Sequence, residues 1–320
     1  MSTTSSHGWF RAAKVAVTLV VLALIARSLA RNWAAFQSVH VTLDVKAGWL
    51  VASVVVVFLT YAIQIESWRA MLRGWNQHFP YLGAARAWCL ALLGRYLPGK
   101  VWSVAGLVVL AERAGVRRGP AAISAFAMQA VVLGTGVVIV GLATPHAASP
   151  ILLGAAVAGA LILIAILAWR PSATWLGRVA DSTAPLPPLP LSAVVASSTL
   201  MLVSWATFGV AFWMLVRGLL STPLTPAAAI GMFALGYVMG IVAVVAPGGI
   251  GVRDLALVGF LTPFLGSGGA LAISLASRVQ ITLTEVGAAG AGLLLGRQRK
   301  ELTSDRSAPP PTAPPTTPAA

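Results

Sequence analysis

The chain has 320 residues, 58% hydrophobic and 9% charged, with several apolar runs longer than about 18 residues; so little polar surface excludes a soluble globular fold. Its 22 Lys and Arg against 8 Asp and Glu give a net charge of +14, but the basic residues flank apolar segments, so they read as membrane-facing charge and not as a nucleic-acid footprint. A single cysteine, Cys89, excludes disulfides, iron-sulfur clusters and cysteine zinc sites.

In chain order, residues 1–11 read as a cytoplasmic N-terminus. The apolar run from Ala12 to Ala26 follows Arg11 and Lys14 and meets Arg27 and Arg31 without a small-residue cleavage site, which makes it an uncleaved first helix. Helices are expected at 12–30 and 47–66, then a broken pair at 81–97 and 98–113, then helices at 120–143, 150–169, 191–216 and 226–246, a short one at 253–265, and a last one at 268–295. Each half of the broken pair is short for a tilted span. The predicted fold is all-α: a polytopic integral membrane protein of about eight transmembrane helices plus a broken, re-entrant helical hairpin. Its transmembrane domain covers 12–297, with two halves joined by the Pro-rich loop 181–190, and 298–320 forms a disordered Pro-rich tail.

Charge asymmetry orients this bundle. Arg69, Arg73, Arg113, Arg117, Arg118, Arg170, Arg178, Arg297, Arg299 and Lys300 fall on one face, whereas the loop from Thr144 to Pro150 has no Lys or Arg, so both termini are expected in the cytoplasm. Arg27, Arg31, Lys46 and Arg217 fall on the other face. If 247–265 turns back without crossing, the C-terminus lies outside.

Two Gly/Pro breaks interrupt membrane-length apolar sequence: Gly94-Arg95-Tyr96-Leu97-Pro98-Gly99-Lys100 and Pro247-Gly248-Gly249-Ile250-Gly251-Val252-Arg253-Asp254. Lipid tolerates non-helical backbone and charge only where protein or a wet cavity surrounds them. Proline removes a backbone donor and glycine opens conformations closed to other residues, so half-helix ends are freed; Arg95, Lys100 and Arg253 add cations beside them. Phosphate suits such a constellation. The plainer alternative is a kinked helix whose cations reach up to anionic headgroups.

The last span carries Ser274, Arg278, Thr282 and Glu285 at spacings of four, four and three, which places them on one helix face. An ionised group at mid-span costs about 2.5 to 3.5 kcal/mol on insertion scales, so Arg278 and Glu285 should face a partner or a cavity. They read either as ligand contacts or as a structural ion pair, with Asp254 as a further partner. Arg86 is placed to join Arg95, Trp102 to wall the cavity, and Glu66 and Arg69 to serve as ordinary interfacial charges. The four histidines, His7, His40, His78 and His146, lack metal-ligand spacing, and no nucleophile elbow, Walker loop or intramembrane acidic cluster occurs, so neither an enzyme nor a cofactor or metal site is expected.

The two break motifs and the apolar segment after the first resemble those of the lysylphosphatidylglycerol synthase transmembrane-region family, also called flippase-like domain proteins, over roughly residues 10–297. By that resemblance Pro247, Gly248, Gly249, Gly251, Arg253 and Asp254 match one motif, with Asp254 where Glu is common, and Arg95, Pro98 and Gly99 match the other. The family's membrane region is associated with moving lipids between leaflets. Three departures stand out. Only 298–320 follow the last predicted helix, where lysyl-lipid synthases add a transferase domain; Trp102 and Ser103 stand where relatives have Gly and an acid; Met128 and Gln129 stand where relatives often have Glu-Arg.

The resulting expectation is a multi-pass protein of the cell (inner) membrane that flips an anionic, phosphate-bearing phospholipid or polyprenyl-phosphate-type lipid. Arg95, Lys100, Arg253 and Arg278 would meet the phosphate, with Asp254 and Glu285 as counter-charges. The alternative is a non-catalytic membrane subunit that scaffolds a lipid-modifying enzyme or glycosyltransferase.

Overall fold

A computed structural model describes residues 44–96, 101–143, 154, 158, 186–222, 224–242 and 251–306, with side chains described as far as Leu294. All regular structure among the described residues is helical: α1 Ala47–Gly74, α2 Tyr81–Leu92 with a 3-10 turn at Leu93–Tyr96, α3 Val101–Arg113, α4 Arg118–Ala143, α5 Leu191–Leu219, α6 Pro226–Val242 and α7 Val252–Arg306. Prolines set several starts. Pro80 and Pro190 immediately precede α2 and α5, and Pro226 is the first residue of α6, where its missing N–H leaves no bond unmade. Arg73, Arg113 and Arg217 sit in the last turns of α1, α3 and α5, where they complement the negative end of the helix dipole.

Four of these helices are long and apolar enough to cross a membrane: Ala47–Gly74, Arg118–Ala143, Leu191–Leu219 and Val252–Leu294. The expected helix at 12–30 lies outside the described residues, as does that at 150–169 apart from residues 154 and 158, both helical. The break anticipated between 253–265 and 268–295 falls at Gly266, whose φ of 67° and ψ of 168° leave the helix. Asp254 and Arg278, each twelve residues from Gly266, meet in space, so the two arms of α7 run antiparallel. The first arm spans only about 20 Å at 1.5 Å per residue, short of the roughly 30 Å hydrocarbon core.

Helices in lipid gain little from burying apolar surface against one another, so close packing and hydrogen bonds must hold them. The α1–α5 seam shows both. Ser53 Oγ donates to the Ala211 carbonyl at 2.6 Å, Thr60 Oγ1 to Thr207 Oγ1 at 2.9 Å, and Ser67 Oγ to the Ser197 carbonyl at 2.8 Å. Trp68 is fully buried and donates its indole N–H to Ser124 Oγ of α4 at 3.0 Å. Apolar side chains such as Val51, Val55, Phe126 and Leu255 point outward instead, as lipid-facing surface should.

Charge collects at the two ends of α1. At its start, Lys46 pairs with Asp44 at 2.7 Å and reaches Ser221, just beyond α5. At its finish, Glu66 pairs with both Arg69 and Arg73, and Arg69 Nε donates to the Phe79 carbonyl at 2.8 Å. Gln77 Oε1, a few residues on, accepts the Arg117 backbone N–H at 3.1 Å. Lys46 and Arg69, assigned to opposite faces from the sequence, thus lie at opposite ends of one helix.

Candidate functional site

The 3-10 turn Leu93–Tyr96 closes the hairpin of α2 and α3. A Cβ on Gly94 would sit 2.6 Å from the Ser103 backbone nitrogen, so only glycine lets the two arms approach this closely. The turn docks on the second arm of α7: Arg95 pairs with Glu285, and the Tyr96 hydroxyl donates to the other Glu285 oxygen at 2.7 Å and lies 3.3 Å from Thr282 Oγ1. Glu285 is fully buried, so both of its oxygens are satisfied by the first break.

The second break meets the same helix face from the other side of the sequence. Gly251 has φ +90°, a left-handed conformation, and its N–H donates to Asp254 Oδ2 at 3.2 Å, capping the N-terminus of α7. Arg278 Nε donates to Asp254 Oδ1 at 3.0 Å, while its Nη2 lies 2.6 Å from Oδ2 in an ion pair too poorly aligned to count as a hydrogen bond. Ser274 Oγ donates to the Asp254 carbonyl at 3.3 Å.

Arg253 is different. It is 5% exposed, donates from Nη2 to Ser277 Oγ at 2.8 Å, and lies 5.4 Å and 5.9 Å from the ring centres of Phe233 and Tyr237. Its Nε has no hydrogen-bond partner, and among the described residues no carboxylate pairs with it. Three guanidiniums thus share two carboxylates among the described residues, and the unmatched cation is buried. Such a charge in low dielectric is costly unless an anion completes it.

Arg95, Arg253, Arg278 and Glu285 all line one cavity of about 180 Å³, with Tyr96, Thr282, Trp205, Phe208 and Tyr237 in its wall. That is room for a small polar headgroup, not for a whole lipid. The aromatic side is itself a packed cluster: Trp205 and Tyr237 meet edge-on at 5.4 Å, and Phe208 stacks on Phe233 at 5.1 Å.

Of the residues singled out in the sequence, Arg95, Gly251, Arg253, Asp254, Arg278 and Glu285 come together around the face of α7 that bears Ser274, Ser277 and Thr282. Pro98, Gly99, Lys100, Pro247, Gly248 and Gly249 lie outside the described residues. Two expectations change. Arg86 is exposed on α2 and does not line the cavity, because it falls on a different helix face from Trp88; Trp102 is 56% exposed and also lies outside the lining. Met128 and Gln129, noted as departures from the family pattern, both line it. Missed altogether were Gln64, Trp88 and Tyr237. A lone amide in the middle of the apolar α1 was a usable signal for Gln64; nothing local marks Trp88 or Tyr237 among so many aromatics.

Residues 11–287 match the family model described as lysylphosphatidylglycerol synthase TM region. A search among curated proteins returns no match to the chain.

Proposed function

The chain belongs to the lysylphosphatidylglycerol synthase transmembrane-region family, a membrane domain of lipid metabolism or transport, and from that premise we propose that it moves an anionic, phosphate-bearing lipid or lipid-linked intermediate between leaflets. The observation that carries this reading is Arg253: a buried guanidinium without an acid partner among the described residues, lining a cavity between helices of which four are of membrane length. A phosphate monoester or diester supplies the missing charge and accepts several charge-assisted hydrogen bonds. The protein acts as a carrier and not as an enzyme, resident as a multi-pass protein of about eight spans in the inner cell membrane.

The headgroup enters the cavity while its acyl or prenyl chains stay in the bilayer. Its phosphate settles on Arg253, close to the positive N-terminal end of α7. Arg95 and Arg278 then exchange part of their bonding from Glu285 and Asp254 to the phosphate, which loosens the docking of both breaks on α7 and permits one half of the bundle to rock against the other.

Purified protein in liposomes should accelerate leaflet exchange of a fluorescent anionic phospholipid over protein-free vesicles. Exchange no faster than background across a panel that includes polyprenyl phosphates overturns this reading.

A further inference from the structure

Among the described residues the cavity is cationic only where the 3-10 turn and α7 meet; three other helices supply polar groups without charge. Gln64 of α1, Trp88 of α2 and Gln129 of α4 line the same space as Arg253 and Arg278. The Trp88 indole Nε1 is buried and has no hydrogen-bond partner, although the ring itself is held at 5.9 Å from Trp68. A buried indole N–H left unpaired is destabilising, and native structures rarely leave one so without reason. Gln64, half-buried, and Gln129, exposed, line the cavity with amides that each offer two donors and one acceptor.

Among the described residues no acid in the lining is unpaired, so a positively charged headgroup finds one only by displacing a guanidinium. Glu285 is the one carboxylate in the lining among the described residues, and Arg95 and Tyr96 occupy it. Donor-and-acceptor amides, an indole donor and the aromatic side chains of Trp205, Phe208 and Tyr237 in one wall together suit groups that are both hydrogen-bonding and ring-like or carbon-rich: hydroxyls on a sugar or cyclic polyol.

The geometry points to a second, uncharged subsite formed by Trp88, Gln64 and Gln129, which takes the hydroxyl-bearing part of a headgroup whose phosphate is held by Arg253. The carried lipid is then a sugar- or polyol-phosphate lipid, not an ammonium-bearing one. This inference rests on the lipid-carrier reading above.

Full-length protein in phosphatidylcholine nanodiscs is titrated with phosphatidic acid, phosphatidylinositol and phosphatidylethanolamine of matched chains, and with soluble inositol 1-phosphate. Phosphatidylinositol should bind more tightly than phosphatidylethanolamine, and the phosphatidylinositol-over-phosphatidic acid ratio should fall by about three- to tenfold in Trp88→Phe. The double variant Gln64→Leu, Gln129→Leu should lower the same ratio and decides the matter if Trp88→Phe fails to fold. An unchanged ratio in folded variants overturns the subsite, as does phosphatidylethanolamine binding as tightly as phosphatidylinositol. Soluble inositol 1-phosphate binding as well as the lipid overturns the lipid assignment. Phosphatidic acid that binds and exchanges without any polyol preference removes the subsite alone, whereas failure of every lipid to bind removes the carrier reading with it.

Discussion

Arg278 pairs with Asp254, Nη2 to Oδ2 at 2.6 Å, and not with Glu285, two turns further along its own helix. Glu285 is taken by Arg95 from the hairpin turn. Each break therefore brings its own counter-charge to a single face of α7, and that face becomes the place where the two broken segments are joined. Asp254 accepts two hydrogen bonds, from the Gly251 N–H and Arg278 Nε, and forms an ion pair with Arg278 Nη2, which fixes the first arm of α7 to the second.

Because these are the pairs, double variants should separate them. Arg95→Met strands the fully buried Glu285 and should lower stability by about 3 to 5 kcal/mol, with most of the loss recovered in Arg95→Met, Glu285→Met. Arg278→Met combined with Glu285→Met should show no such recovery, since it leaves Asp254 and Arg95 both unpaired. Reversible unfolding in mixed micelles reads both; recovery in the second combination would mean the partners are misassigned.

Arg253 should behave in the opposite way. Arg253→Met removes a buried cation that no acid among the described residues balances, at the cost of one hydrogen bond to Ser277 and its contacts with the Phe233 and Tyr237 rings, so its melting temperature should equal or exceed that of the wild type. Leaflet exchange should fall by roughly ten- to a hundredfold, the worth of charged hydrogen bonds to phosphate. A stable variant that still exchanges lipid at the wild-type rate would remove Arg253 from the site.

Gly94→Ala tests whether the hairpin turn must approach α3 so closely. Its methyl would press on the Ser103 backbone at 2.6 Å, and backbone cannot swing aside as a side chain can. The expected result is a loss of about 1 to 3 kcal/mol together with weaker coupling in the Arg95–Glu285 double-mutant cycle. Unchanged coupling would show that the turn can shift without losing its dock.

Gly251→Ala meets no atom within 4 Å among the described residues, so its effect is expected from its φ of +90°. A left-handed alanine costs about 1 to 2 kcal/mol, and relaxing it would carry the Gly251 N–H away from Asp254. Gly251→Leu should add loss of lipid exchange with insertion largely intact. Stability within experimental error for Gly251→Ala would show that the cap is not strained by a Cβ.

The sequence by itself determined the solvent, the helical class and several of the places where helices start. Long apolar runs leave the backbone no choice in lipid but to bond within each helix, and Pro80, Pro190 and Pro226 punctuate those runs through chemistry that acts on immediate neighbours. It also marked the face of Ser274, Arg278, Thr282 and Glu285, because helical periodicity is a one-dimensional property. Only the tertiary structure decided the partners. The hinge at Gly266 swings Asp254 beside Arg278, and the close turn at Gly94 accompanies Arg95 onto Glu285, contacts made between residues 24 and 190 positions apart. Coulomb attraction grows as the dielectric falls, so whichever charge the packed backbone brings within reach becomes the partner, regardless of spacing along the chain. The same packing left Arg253 without an acid among the described residues and brought Gln64, Trp88 and Gln129 to one cavity, a grouping that no local pattern of residues encodes.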